Sequence, residues 1–208
     1  MRLIKFVLTV LVTLCSFTAN AGILKIDLLA PTAIPSNNKF RGNIPLAERF
    51  YTLGGNLQAN QTSELRLEFF FLDKEASRVN TFESEGFSIN TTTDKTPFAY
   101  TKAYSAGDLI DFHFSTSVLA APFNIVANGS NTTTPLYVSF AIALDTFYKG
   151  ELYDAILFFD DGGVNYEDDN HDDLLIGIKA KANVPESSAL ILMLMGLAGL
   201  VVVRIKKL

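Results

Sequence analysis

The sequence predicts an all-β fold: a single antiparallel β-sandwich of jelly-roll type, set between an N-terminal signal peptide and one C-terminal transmembrane helix. Three observations carry this. Apolar residues in the middle of the chain recur with a period of two rather than 3.6, the pleat of a half-buried strand. Turn formers cut these runs into short lengths, notably Gly54-Gly55-Asn56, Ala106-Gly107-Asp108, Asn128-Gly129-Ser130 and Asp161-Gly162-Gly163. The 208 residues, 49% apolar and 19% charged, have globular proportions, and setting both ends aside leaves roughly 160 of them, one ordinary domain. Alternating strands of this kind bury their apolar faces by packing sheet on sheet.

Residues 1–21 read as a signal peptide. Arg2 and Lys5 supply the basic start, Phe6 to Cys15 the apolar run, and Ala19-Asn20-Ala21 an A-x-A cleavage pattern that puts the mature start at Gly22. The run is too short to cross about 30 Å of hydrocarbon. Leu14 precedes Cys15 where a lipoprotein signal carries a small residue. Cys15 is the only cysteine and leaves with the signal, so disulfides, thiol catalysis and cysteine metal sites drop out of the mature chain.

The exported domain, residues 22–183, opens with a strand candidate at Ile23 to Leu29. Pro31 to Pro45, rich in Pro and Asn, reads as a long loop leading into one helical turn around Leu46 to Phe50. Leu65, Leu67, Phe69 and Phe71 then alternate with Arg66, Glu68 and Phe70, and Gly86 to Ile89 and Leu109 to Ser115 follow. Val138, Phe140, Ile142 and Leu144 alternate with Tyr137, Ser139, Ala141 and Ala143, whose small side chains suit either solvent or a cover. Ala155 to Phe159 and Leu174 to Ile178 complete the set.

Between the last two strands lies Asp160-Asp161-Gly162-Gly163-Val164-Asn165-Tyr166-Glu167-Asp168-Asp169-Asn170-His171-Asp172-Asp173, far more carboxylate than a turn requires. A hard cation takes six to eight oxygens. Asp160, Asp161, Asp168, Asp169, Asn170, Asp172 and Asp173 are therefore candidate calcium ligands, the alternative being a solvated acidic loop. Neither the EF-hand spacing nor the glycine-rich nonapeptide repeat is present, since Asp173 stands where an EF-hand begun at Asp168 needs glycine. The segment also resembles the acidic stretch, followed by Asp-Asp-Leu-Leu-Ile, near the end of other exported β domains.

The tail, residues 184–208, runs Val184-Pro185-Glu186-Ser187-Ser188, then apolar from Ala189 to Val203, then Arg204-Ile205-Lys206-Lys207-Leu208. A helix over 189–205 rises about 25 Å, short for a permanent anchor. Its basic end would stay cytoplasmic, leaving the domain outside. A Pro-Glu motif, a short apolar helix and a basic end together resemble the PEP-CTERM sorting signal of Gram-negative bacteria, here with Ser187 at the second proline position. The resemblance rests on Val184, Pro185, Glu186, Ser187 and Arg204. It implies an exosortase-type sorting enzyme as partner and membrane attachment through the C-terminal helix. It also implies an inner-membrane-anchored precursor, and delivery to the cell surface or beyond, in company with exopolysaccharide or biofilm. A plain tail anchor is the competing reading.

His113 belongs to the Asp111, His113, Ser115 face of one strand, which reads as polar surface. Three residues pointing the same way from one strand do not make a nucleophile bonded to a base. His171, amid carboxylates, reads as a more basic histidine in a polar loop. The Asn-x-Ser/Thr sites at Asn60, Asn90, Asn128 and Asn131 would suggest glycosylation in a eukaryotic secreted protein and mean little in a bacterial one; the runs Asn90 to Thr93 and Asn131 to Thr134 read as polar loops. The net charge of −5 excludes nucleic acid as a partner. With no catalytic set visible, the sequence points to a noncatalytic exported surface or extracellular-matrix protein. The alternatives are a calcium-assisted carbohydrate-binding module, which exposed aromatics on one sheet face would favour, and a secreted hydrolase, which would need carboxylates paired across a cleft.

Overall fold

The structure is a computed structural model and describes residues 22–27, 30–75, 77–117, 119, 124–132, 137–162, 170–183 and 196. The signal peptide and nearly all of the sorting tail lie outside the described residues, including Val184, Pro185, Glu186, Ser187 and Arg204. Among the described residues no helix is long and apolar enough to cross a membrane.

The domain is all-β, and its strand pairings are antiparallel. The strands are β1 (Leu24–Ile26), β2 (Thr32–Ala33), β3 (Phe50–Leu53), β4 (Leu57–Ala59), β5 (Ser63–Asp73), β6 (Asn80–Ser84) and β7 (Phe87–Asn90). They continue with β8 (Phe98–Tyr104), β9 (His113–Thr116), β10 (Ile125–Ala127), β11 (Ser139–Tyr148), β12 (Glu151–Asp160) and β13 (Leu174–Ala182). One sheet has the order β2-β3-β11-β12-β13-β5-β8, a second β10-β9-β6-β7, and β1 pairs with β4 alone.

The two larger sheets face each other across one apolar core. Phe114 of β9 stacks on Phe159 of β12 with ring centroids 4.8 Å apart, and Phe82 of β6 meets Phe69 of β5 at 5.3 Å. These rings are fully buried, and each contributes about 1.5–3 kcal/mol from burial alone. The alternation read in the sequence explains which sides meet. Phe140, Ile142, Leu157, Phe159, Leu174 and Ile176 all point into this core.

The opposite face of the large sheet is not solvated. Ala141, Ala143, Ile156, Phe158 and Leu175 form a second core with Ile34, Phe40, Ile44 and Tyr51. The Pro- and Asn-rich segment is thus the cover that the small side chains of β11 admit. It contains β2 and a single-turn 3-10 helix, Arg41–Asn43, and leads into a second, Leu46–Glu48, where a helical turn was expected, with Phe50 already in β3.

The strand expected over Leu109 to Ser115 is ordered as a ladder only from His113. Before it, Leu109 forms an isolated bridge to Gln58, and the Asn128 side chain ties down the neighbouring backbone by accepting from Leu57 N and donating to the carbonyls of Leu57 and Ile110. Asn131 is buried and donates to the Phe140 carbonyl at 2.7 Å. Both asparagines thus tie backbone segments together, and Asn131, read as polar loop, is a buried framework residue.

Candidate functional site

β12 ends at Asp160 and β13 begins at Leu174, so the acidic segment joins two neighbouring strands of the large sheet. Asp168 and Asp169 lie outside the described residues. The other predicted ligands come together at the end of the two-sheet core, and they are buried: Asp160 and Asp161 are 3% and 1% exposed, Asn170 4%, Asp172 2% and Asp173 9%. The solvated-loop reading is therefore corrected for these residues.

The reason is local hydrogen bonding. Asp160 Oδ1 accepts from Gly162 N at 2.8 Å, Asp173 Oδ2 from Asp161 N at 2.8 Å, and Asp172 Oδ2 from Lys39 N at 2.7 Å. A carboxylate that accepts backbone N–H bonds keeps much of the solvation it leaves behind in water. Asp161 is held from the second sheet as well. Its Oδ1 accepts from Arg78 Nη1 at 2.5 Å and its Oδ2 from Asn80 Nδ2 at 2.7 Å. Asn38, in the covering segment, donates to the Asn170 carbonyl at 2.7 Å. One acidic corner thus ties both sheets and the cover together.

Charge is crowded there. Burial first, and then the charges of Asp161, Asp160 and Asp172, push the Asp173 carboxyl up to about 8 against the lowering effect of its bond from Asp161 N. Among the described residues, no group of three His, Asp or Glu side chains has the geometry of a metal cage. One oxygen does point to unmet demand: Asn80 is fully buried, its Nδ2 is bound to Asp161, and its Oδ1 has no hydrogen-bond partner among the described residues.

His171 is not a solvated loop histidine. It is 2% exposed with φ +57°, in the left-handed region that few residues other than glycine adopt. Its Nε2 lies 2.9 Å from Ser139 Oγ, and its Nδ1 3.9 Å from Asp160 Oδ2. Serine, imidazole and carboxylate in that order are the parts of a nucleophilic triad. Ser139, the first residue of β11, is 1% exposed, and the 3.9 Å between His171 Nδ1 and Asp160 Oδ2 is longer than a hydrogen bond. His113, by contrast, sits at the surface as expected, its Nε2 2.7 Å from Glu83 Oε2 on the facing strand.

The sequence reading missed Arg78, Asn80, Asn38 and Ser139, which complete the corner. Each is distant along the chain from the acidic segment, and no spacing rule connects them to it. Compared with family models, curated proteins and solved structures, the chain matches none.

Proposed function

We propose that the chain is an exported, noncatalytic protein of the bacterial surface or extracellular matrix, a single β-sandwich of jelly-roll type delivered by its C-terminal sorting signal. The observation that carries this reading is the sequence at the two ends, Ala19-Asn20-Ala21 after a basic start and an apolar run, and Val184-Pro185-Glu186 ahead of a second apolar run with a basic end. Between them, Asn60 Nδ2 donates to the Gly22 carbonyl at 2.8 Å and Asn183 N to the Glu64 carbonyl at 2.8 Å, so both Gly22 and Asn183 belong to the folded domain. The stacking of Phe114 on Phe159 supports the sandwich, and the sealed Ser139 supports a noncatalytic role.

Alanine at Pro185 and Glu186 is the direct test in a host that carries the sorting enzyme. The variant accumulates as an inner-membrane precursor on this reading; undiminished surface delivery would contradict it.

A second reading, a calcium-assisted carbohydrate-binding module, is favoured by the buried carboxylates around Asp173 and by the unpartnered Asn80 Oδ1 beside Asp161. Exposed Phe87, stacked on Phe98 at 5.2 Å, is the aromatic such a module would offer a sugar ring.

A further inference from the structure

Gly22 is fixed in space by its surroundings. Its carbonyl accepts from Asn60 Nδ2, the next carbonyl, that of Ile23, accepts from Asn60 N at 2.9 Å, and Leu24 is buried at the start of β1. A Cβ built on Gly22 would lie 3.6 Å from Oδ2 and 3.9 Å from Oδ1 of Asp145. The Gly22 nitrogen is about 2.5 Å from any such Cβ, so it lies within about 6 Å of the Asp145 carboxylate.

Asp145 is an unusual neighbour. It sits in β11 with φ +46°, a left-handed kink inside a strand. It falls together with Asp154 between the cross-strand pairs Leu144↔Ala155 and Thr146↔Tyr153. Like charges facing each other across a ladder are destabilising. Asp154 has a partner, since its Oδ2 accepts from Ala180 N at 2.7 Å. Burial first, and the charge of Asp154 second, raise the Asp145 carboxyl above its ordinary value; among the described residues no cation offsets them.

In the unprocessed chain the Gly22 nitrogen is a neutral amide. Hydrolysis of the Ala21–Gly22 peptide bond adds water across it: Ala21 leaves with a carboxylate, and Gly22 keeps an amine that takes up a proton. We propose that this new α-ammonium of Gly22 is captured by Asp145, beside Asp154, so that removal of the signal peptide supplies the cation missing at that carboxylate pair. The inference rests on the export reading above. Cleavage and folding then reinforce each other: the precursor carries an uncompensated pair, and the mature domain carries an ion pair that pins β1 to β11. Asp145 is solvent-exposed, so the pair is a modest one.

The test uses the full chain, expressed with its signal in a Gram-negative cell and purified in detergent. N-terminal sequencing comes first, followed by competitive labelling of the α-amine across pH in wild type and in Asp145→Asn. Asparagine tolerates a positive φ, so the variant keeps the kink. The expected result is a Gly22 start and an amine that labels about twofold more slowly at pH 8 in wild type than in the variant, as an amine pKa raised by roughly half a unit requires. One molar salt should remove the difference in wild type alone, a readout that needs no variant. Equal labelling on a Gly22 start, with no salt effect, overturns the capture and leaves export standing. A start at Met1 overturns both.

Discussion

Asp161 and Arg78 meet where the two sheets converge, with Oδ1 accepting from Nη1 at 2.5 Å and the Asp161 side chain completely buried. Asp161 follows β12 of the large sheet, and Arg78 leads into β6 of the small one. The pair therefore acts across the core and not along a strand. Removing one partner of a buried pair costs more than the pair contributes, because the other charge is stranded.

Arg78→Ala should accordingly destabilise the protein by about 2–4 kcal/mol, the guanidinium being a quarter exposed to water. Urea unfolding measures this as a lower midpoint at unchanged slope. A change below about 0.5 kcal/mol would mean that the sheets are joined by apolar packing alone.

Asp173 predicts the pH dependence of the same corner. Its carboxyl is raised from an ordinary 3.8 to about 8 in the folded protein, so between those values the folded state holds a proton that the unfolded chain releases. The stability tied to Asp173 is full below about pH 4 and is lost as pH rises through about 8. Asp173→Asn keeps the neutral form and an acceptor for Asp161 N, and should exceed wild type by about 1–3 kcal/mol at pH 8 in chelator. Matching pH profiles for the two proteins would refute the assignment.

Much of the framework was legible in the sequence because period-two patterning is strongest where a strand is long. β5 and β11 stand out in this way, through Leu65 to Phe71 and Val138 to Leu144, whereas β12 and β13 show as unbroken apolar runs, Ala155 to Phe159 and Leu174 to Ile178, because both their faces are buried. The strands β2, β3, β4, β6, β8 and β10 escaped. Those of two to five residues, such as Thr32-Ala33, are too few to show a clear period, and in β8 Lys102 interrupts the alternation of Phe98, Tyr100 and Tyr104, so tertiary pairing decides their state. The β11–β12 hairpin turns on Lys149-Gly150, both at positive φ, where lysine hides the usual Asn-Gly signal. The acidic residues were found from sequence, but their burial was not, because the donors that draw them in are backbone N–H groups and residues far away in the chain.

Ser139 should be unreactive. A fluorophosphonate that labels activated serines is expected to leave it unmodified in the native protein, since it lies sealed in β11 with an imidazole too far from Asp160 to be oriented as a base. Stoichiometric labelling of Ser139, abolished by His171→Ala, would make the protein an enzyme.

Calcium separates the two readings of the corner. On the carbohydrate-binding reading, calcium at a hundredfold excess over its dissociation constant adds about 2.7 kcal/mol, a rise of several degrees in melting temperature. Asp172→Ala with Asp173→Ala should abolish most of that rise. Superimposed melts in calcium, magnesium and chelator would remove calcium and leave the acidic corner as a latch of hydrogen bonds.

Export with processing at both ends is tested most directly by intact-mass and terminal-peptide mass spectrometry of the protein recovered from the surface fraction of a host with the sorting enzyme. The account predicts a chain that begins at Gly22 and ends near Glu186, without the apolar tail. A surface protein that begins at Met1, or that retains Leu208, would contradict it.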